Sequence, residues 1–167
     1  MSTPEIARLK NNWLFDHVNV KFPTKESLQG KVLYQARMDT ATYEHYLEVG
    51  EQPNGFSLDD IYLVDFHRLT VMFALLQGQQ WGSEEEKSAI LEFFTQIIFS
   101  PPCDLFVGFK DGQPFSTAIV TKHHSTALVS DVFCVGKATD KHFVSAVLEK
   151  AKVSASDYDE ILIEVVE

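Results

Sequence analysis

Residues 105–121, LFVGFKDGQPFSTAIVT, decide the fold class of this chain. Up to Asp111-Gly112 the apolar side chains recur at every second position, which is the period of a β-strand. Asp-Gly is a turn pair that favours a tight hairpin. The apolar residues resume from Phe115 to Thr121. This stretch therefore predicts two strands joined by a short turn.

The residues that follow predict three more elements. Residues 122–126, KHHST, form the next turn, where adjacent histidines point to opposite faces and cannot easily share one metal ion. Ala127 to Val135 is apolar enough for a central strand. Thr139 to Lys152 has helical spacing, and Ile161 to Val166 is a final strand. The second part of the chain is thus a β-meander, a helix and a strand.

The first part of the sequence predicts more helix than strand. Thr3-Pro4-Glu5 is typical of a helix start, with a capping hydroxyl before Pro. Ser83 and Glu86 form a capping-box pattern for a helix that Pro101-Pro102 ends. The other elements predicted here are strands at Val18–Phe22 and Lys31–Met38 and helices at Thr40–Val49 and Ser57–Leu76.

The length and the net charge of the chain argue against several classes of function. The 167 residues fit one domain, 1–167, with a helix-rich part at 1–104 and the meander part at 105–167. The net charge of −10 without a Lys/Arg cluster argues against nucleic acid and anionic membranes as partners. The two cysteines lack metal-ligand spacing. Because no apolar leader opens the sequence, we expect a cytoplasmic protein.

The meander part resembles the GNAT-type N-acyltransferases. LFVGFKDGQPFSTAIV is similar to the second and third strands of that family, and VSDVFCV to the fourth, whose splayed end receives the pantetheine arm of CoA. The resemblance covers about Leu105 to Val166, and YQARMDTATYEHYLEV upstream is similar to the first strand and helix. It implies an α+β fold with a GNAT-like mixed, mostly antiparallel sheet flanked by helices.

The resemblance also implies a cofactor and its binding residues. In the family a loop R/Q-x-x-G-x-G/A binds the CoA pyrophosphate at a helix N-terminus. Thr139, His142 and Val144 align with the conserved positions of that loop, and Gly136 lies just upstream. The implied cofactor is acetyl-CoA or another acyl-CoA. The implied binding residues are Phe133, Val135, Lys137, Lys141, His142 and Ser145.

The implied reaction transfers an acyl group to a small-molecule or protein amine. Asp131, on the strand similar to the family's fourth, is the candidate general base. The alternative for Asp131 is a carboxylate that neighbouring N–H groups stabilise at the sheet rim. Tyr34 and Tyr43 are candidates for lining a pocket, with core packing as the alternative.

Two departures from the family pattern support a second interpretation. His142 and Val144 replace the loop glycines, and no family-type helix and hairpin follow the final strand. We therefore also consider a non-catalytic GNAT-fold binding or interaction module. Its final strand is expected to need an N-terminal element or a partner chain at its edge, which favours a homodimer.

Overall fold

A computed structural model describes residues 3–47, 57–136 and 141–166. Within these ranges helices flank one mixed, mostly antiparallel sheet, an α+β arrangement that confirms the predicted class. The helices are α1 Glu5–Asp16, α2 Lys25–Met38, α3 His67–Gly78, α4 Glu84–Thr95 and α5 Lys141–Lys150. The strands are β1 Thr42–His45, β2 Ile61–Leu63, β3 Cys103–Lys110, β4 Gln113–His123, β5 Thr126–Cys134 and β6 Glu160–Val165.

The strands form one mixed sheet in the order β1-β6-β5-β4-β3-β2. All neighbours are antiparallel except β5 and β6, which are parallel. The β5–β6 ladder ends at Val129 and Ile163, whereas β5 remains paired with β4 as far as Cys134. The two parallel strands therefore separate toward their C-terminal ends, and the candidate site lies in this opening.

Helices cover both faces of the sheet. On one face the first four helices pack against inward residues of β3 and β4, including Leu105 and Ile119. On the other face Phe143 and Val147 of α5 pack against Val129 and Ile163. None of the helices in the described ranges is long and apolar enough to cross a membrane.

The predictions for the meander part are confirmed. The hairpin turns at Asp111-Gly112, where both residues have positive φ. β5, α5 and β6 follow in the predicted order. The predicted helix start at Thr139 lies outside the described residues. In the first part, the Ser83/Glu86 capping box forms with both of its hydrogen bonds.

Most other predictions for the first part are wrong. Lys31–Met38 belongs to helix α2, which Thr24 caps by accepting a hydrogen bond from the Ser27 N–H. The apolar residues of Lys31–Met38 alternate as in a strand, but this segment is helical and packs closely on α4. Val18–Phe22 forms turns and bends. Helix α1 is confirmed, but the Thr3 hydroxyl does not cap it.

The predicted helices at 40–49 and 57–76 are also wrong as drawn. Thr42–His45 is strand β1, so a helix precedes a strand, the reverse of the order that the family resemblance implied; residues 48–49 lie outside the described ranges. The Ser57 hydroxyl caps only a short 3-10 turn, Leu58–Asp60. Strand β2 follows because β3 offers it a pairing edge, and the helix begins at His67.

Strand β1 closes the edge that was expected to need a partner. It pairs antiparallel with β6, from Thr42 opposite Val165 to His45 opposite Leu162. Of the two alternatives expected from the sequence, an N-terminal element or a partner chain, the structure shows the N-terminal element beside β6. The reason given for a homodimer no longer holds, and the homodimer itself stays a prediction.

Candidate functional site

The site is built around a lysine that lies entirely inside the protein. Lys10 is on the same face of α1 as Ile6, Ala7 and Leu14, and its exposed fraction is 0%. An ammonium group in the interior is costly unless it is paired and hydrogen-bonded. Its burial therefore depends on the acceptors that the sheet and α2 provide.

Two carboxylates from the separating strands meet this ammonium. Lys10 Nζ lies 3.1 Å from Oδ2 of Asp131 on β5 and 3.0 Å from Oε2 of Glu164 on β6. Both acidic side chains are 1% exposed. The same Nζ donates to the Tyr34 hydroxyl at 2.6 Å and lies 3.5 Å from Sδ of Met38. The name buried cluster refers below to Lys10, Tyr34, Tyr43, Asp131 and Glu164.

Hydroxyl groups complete the contacts of both carboxylates. Tyr34 donates to Oδ1 of Asp131 at 2.6 Å, and Ser130 donates to Oδ2 at 2.6 Å. Tyr43 on β1 donates to Oε2 of Glu164 at 3.2 Å. The backbone N–H of Asp131 donates to Oε1 of Glu164 at 3.4 Å. The cluster thereby joins α1, α2, β1, β5 and β6.

The charges within the cluster shift each other's pKa. Burial lowers the pKa of Lys10, but Asp131 and Glu164 outweigh this effect, so the pKa is raised. Burial raises the pKa of Glu164, with Lys10 opposing and the charge on Asp131 adding to the increase. Burial and the nearby carboxylates also raise the pKa of Tyr34 and Tyr43. Both phenols therefore act as hydrogen-bond donors at neutral pH.

A β-bulge positions Asp131. Between Thr117 and Ile119 of β4 lies one residue, whereas two residues of β5 lie opposite it, and Asp131 has φ 55°. A bulge of this kind redirects a side chain out of the ladder. The carbonyl oxygen of Asp131 accepts hydrogen bonds from Gln77 Nε2 at 2.7 Å and from the Thr117 hydroxyl at 3.0 Å. The unusual backbone is thus held by side chains from α3 and β4.

A small cavity adjoins the cluster where β5 and β6 separate. Its volume is about 30 Å³, which is room for about one water molecule. Arg37 also lines it, but the guanidinium donates to Gln80 Oε1 at 2.6 Å and lies over the Trp81 ring. The lining residues are Tyr34, Arg37, Met38, Gln77, Gln80, Asp131, Val132, Glu164 and Val166.

A larger cleft lies on the opposite face of β6. It measures about 210 Å³, and its apolar walls come from α5, β6 and the two residues after β1, while β1 itself contributes the polar side chains of Glu44 and His45. Lys141, in the first turn of α5, contributes an exposed cation. Along β6, Ile163 and Val165 line this cleft while Glu164 and Val166 line the small cavity. The two spaces therefore flank the end of one strand.

The structure separates the predicted site residues. Asp131 is in the buried cluster and Lys141 in the larger cleft, whereas Ser145 lines a neighbouring depression beside the C-terminal half of α5. Phe133 packs on the opposite face from α5, and Val135 is partly exposed after β5. His142 is half-buried in the first turn of α5. Lys137 lies outside the described residues.

Other chemical groups fit less well as reactive centres. Both cysteines are buried free thiols, and burial raises the pKa of Cys103 to about 12. The predicted turn at 122–126 is shorter in the structure, because His123 ends β4 and only His124 and Ser125 form the turn to β5. The prediction that the two histidines point to opposite faces is wrong, since their ring centroids lie 4.1 Å apart. Within the described ranges, no group of three or more His, Cys, Asp or Glu side chains is arranged to hold a metal ion.

Sequence reasoning missed Lys10 and Glu164. Each is a single charged residue within an apolar pattern: Lys10 on the apolar face of the first helix, Glu164 within the run ILIEVV. A lone charge on a buried face requires a partner of opposite sign. A buried lysine and a buried glutamate in the same sequence therefore suggest that the two residues pair with each other.

The comparisons with known proteins add one structural likeness. No protein-family model matches the chain, and no curated protein matches it in sequence. A GCN5-related N-acetyltransferase from Kribbella flavida is similar in structure, with a TM-score of 0.44 and 13% identity. The match covers 81% of this chain and 53% of the Kribbella flavida protein, so this chain spans about half the length of that protein. At these values the likeness carries no argument about activity.

Proposed function

We propose that this chain binds an acyl-CoA in the opening between β5 and β6 and transfers the acyl group to an amine. One observation carries the proposal: the two parallel strands separate after Val129 and Ile163, and buried carboxylates lie beside a cavity in the opening. The small cavity has room for about one water and can serve proton exchange with the carboxylates. The thioester and the amine would meet in the larger cleft on the other face of β6, where water is restricted.

The residues around the opening fit parts of such a ligand. The apolar cleft beside Ile163 and Val165 suits an acyl or pantetheine chain, and the Lys141 ammonium suits a phosphate. Val144, at the position of a family glycine, is buried against the sheet and leaves less room for close phosphate approach. We therefore assign phosphate binding to the cation of Lys141 rather than to a glycine-rich loop.

The proposed reaction needs a proton acceptor. The amine nitrogen bonds to the acyl carbon, the carbon–sulfur bond breaks, and the thiolate leaves; the ammonium formed on the nitrogen then loses a proton. In the cluster a carboxylate can accept that proton directly or through one water in the cavity. Asp131 is the residue that the sequence suggested for this role.

Thermal unfolding with CoA and with acetyl-CoA tests the binding step. A ligand at about one hundred times its dissociation constant adds roughly 2.7 kcal/mol to the free energy of unfolding. We expect stabilisation of the wild type and a weaker effect for Lys141→Glu. Lys25→Glu is the matched control, because Lys25 is an exposed lysine in the first turn of a different helix. Unchanged unfolding at millimolar CoA would contradict the proposal.

A specific observation also favours the second candidate, a non-catalytic binding module. Both oxygens of the Asp131 carboxylate already accept hydrogen bonds from Tyr34, Ser130 or Lys10, and the side chain is 1% exposed. Such a group suits a structural anchor. Binding of CoA without release of free thiol in the presence of amines would support this candidate. Sedimentation velocity then tests whether the module is a homodimer.

A further inference from the structure

The buried cluster carries more negative than positive charge. Asp131 and Glu164 contribute two carboxylates and Lys10 one ammonium, and all three side chains are at most 1% exposed. An unbalanced charge in the interior is costly to desolvate, which disfavours the fully ionised state. The half-buried Arg37 at the cavity also attracts both carboxylates, but its guanidinium donates to Gln80 and lies over the Trp81 ring, and no ion pair joins it to either carboxylate in the described residues. One added proton would make the cluster neutral.

The two carboxylates are held unequally. Asp131 accepts two short O–H bonds of 2.6 Å, from Tyr34 and Ser130, in addition to the ion pair with Lys10. Short bonds of this kind to an ionised oxygen are the strong class. Glu164 also lies beside Lys10, at 3.0 Å, but the other bonds that it accepts are longer, 3.2 Å from Tyr43 and 3.4 Å from a backbone N–H. The ionised form is therefore better stabilised at Asp131 than at Glu164.

We propose that the buried cluster takes up one proton and that Glu164 holds it, while Asp131 stays the ion-paired partner of Lys10. The proton is exchanged through the cavity, which both carboxylates line and which has room for one water. The groups that face Glu164 come from four elements: Lys10 on α1, Tyr34 and Arg37 on α2, Tyr43 on β1 and Asp131 on β5.

This inference assigns a different proton acceptor to the proposed acyl transfer. The role of Glu164 in catalysis therefore rests on the proposed function. A protonated Glu164 cannot take up a second proton, so the cluster proton would first leave through the cavity. The ionised Glu164, rather than Asp131, would then accept the proton from the amine. Burial raises the pKa of Glu164, in agreement with the geometry. Ser130, Tyr34 and Lys10 would then act as positioning residues that hold the Asp131 carboxylate in place.

Infrared spectroscopy of the protein without CoA tests the inference separately from acyl-CoA binding. We expect the band of a protonated carboxyl to persist as the pH rises above about 4.3, the ordinary pKa of Glu. The band should disappear in Glu164→Gln and remain in Glu160→Gln, a matched control on the same strand with a 44% exposed side chain. A band that is unchanged in Glu164→Gln, or absent from the wild type, would overturn the inference.

A second pair of variants keeps the test decisive if Glu164→Gln does not fold. Tyr43→Phe removes one donor from the ionised form of Glu164, so the midpoint of its titration should rise. Leu128→Val, on β5, removes a methylene and no hydrogen bond, and should leave the midpoint unchanged. An unchanged midpoint in Tyr43→Phe would overturn the assignment to Glu164. Because no CoA is present, a failed CoA-binding experiment does not affect this result.

Discussion

The ammonium of Lys10 lies 3.0 Å from Oε2 of Glu164, so the first helix and the last strand meet through a fully buried polar contact. Tyr34 of α2 and Asp131 of β5 share the same ammonium. A buried pair of this kind is weak evidence for net stability, because desolvation opposes the attraction. Removal of one partner, however, leaves the other charges without compensation.

Lys10→Met should strongly destabilise the protein. The substitution keeps most of the side-chain volume but leaves Asp131 and Glu164 buried without their cation. Breaking a buried pair typically costs about 3–5 kcal/mol. Denaturant unfolding measures the loss, with Lys21→Met at an exposed position as the control. Equal stability of the two variants would show that the ion pairs contribute little.

The pH dependence of stability should change in Glu164→Gln. Because the folded-state pKa of Glu164 is raised, its contribution favours folding below the unfolded-state pKa and is lost as the pH rises through the folded-state value. Glutamine does not titrate. The stability of the variant relative to the wild type should therefore increase from acidic toward neutral pH. Denaturant unfolding at a series of pH values measures this difference, and the opposite slope would contradict the sign.

Gly30→Ala should destabilise the contact between α2 and α4. A Cβ at this position would collide with the carbonyl oxygen of Ala89 and lie 2.6 Å from Cβ of Phe93. Overpacking of this kind costs about 1–3 kcal/mol. Gly82→Ala is the control, because a Cβ there has no neighbour within 4 Å among the described residues. Thermal unfolding of both variants should separate them clearly.

Ser83→Ala should weaken helix α4 by about 1 kcal/mol, the usual cost of losing an N-cap hydroxyl. The Ser83 side chain accepts from the Glu86 N–H, and the Glu86 carboxylate accepts from the Ser83 N–H. Ser88→Ala, at an exposed position within the same helix, should leave stability unchanged or slightly raised. A loss in Ser88→Ala as large as in Ser83→Ala would argue against capping as the cause.

Local signals explain what the sequence predicted correctly. The hairpin at Asp111-Gly112 and the capping box at Ser83 depend on residues within a few positions of each other. Strand β1 could not be found in this way, because its pairing partner β6 lies more than a hundred residues later. In α2, alternating Val32 and Tyr34 suggested a strand, whereas packing on α4 favours the helix.

The candidate site was predicted only in part for the same reason. Asp131 was identified from its place on the strand before the loop, but its partners come from the first helix, the second helix and the last strand. The bulge that turns its side chain toward them depends on pairing with β4. Lys10 and Glu164 each stood out from an apolar surrounding, yet only the folded chain shows that they meet.

The pairing of β1 with β6 has a consequence for synthesis of the chain. Lys10, Tyr34 and Thr42 leave the ribosome long before Glu164 and Val165 have been translated. Until then the lysine on the apolar face of α1 has no β6 carboxylate to meet, and β1 has no strand beside it. Completion of the sheet therefore waits until β6 has left the ribosome. Nascent chains that stall before β6 should expose an unfinished surface to chaperones and proteases.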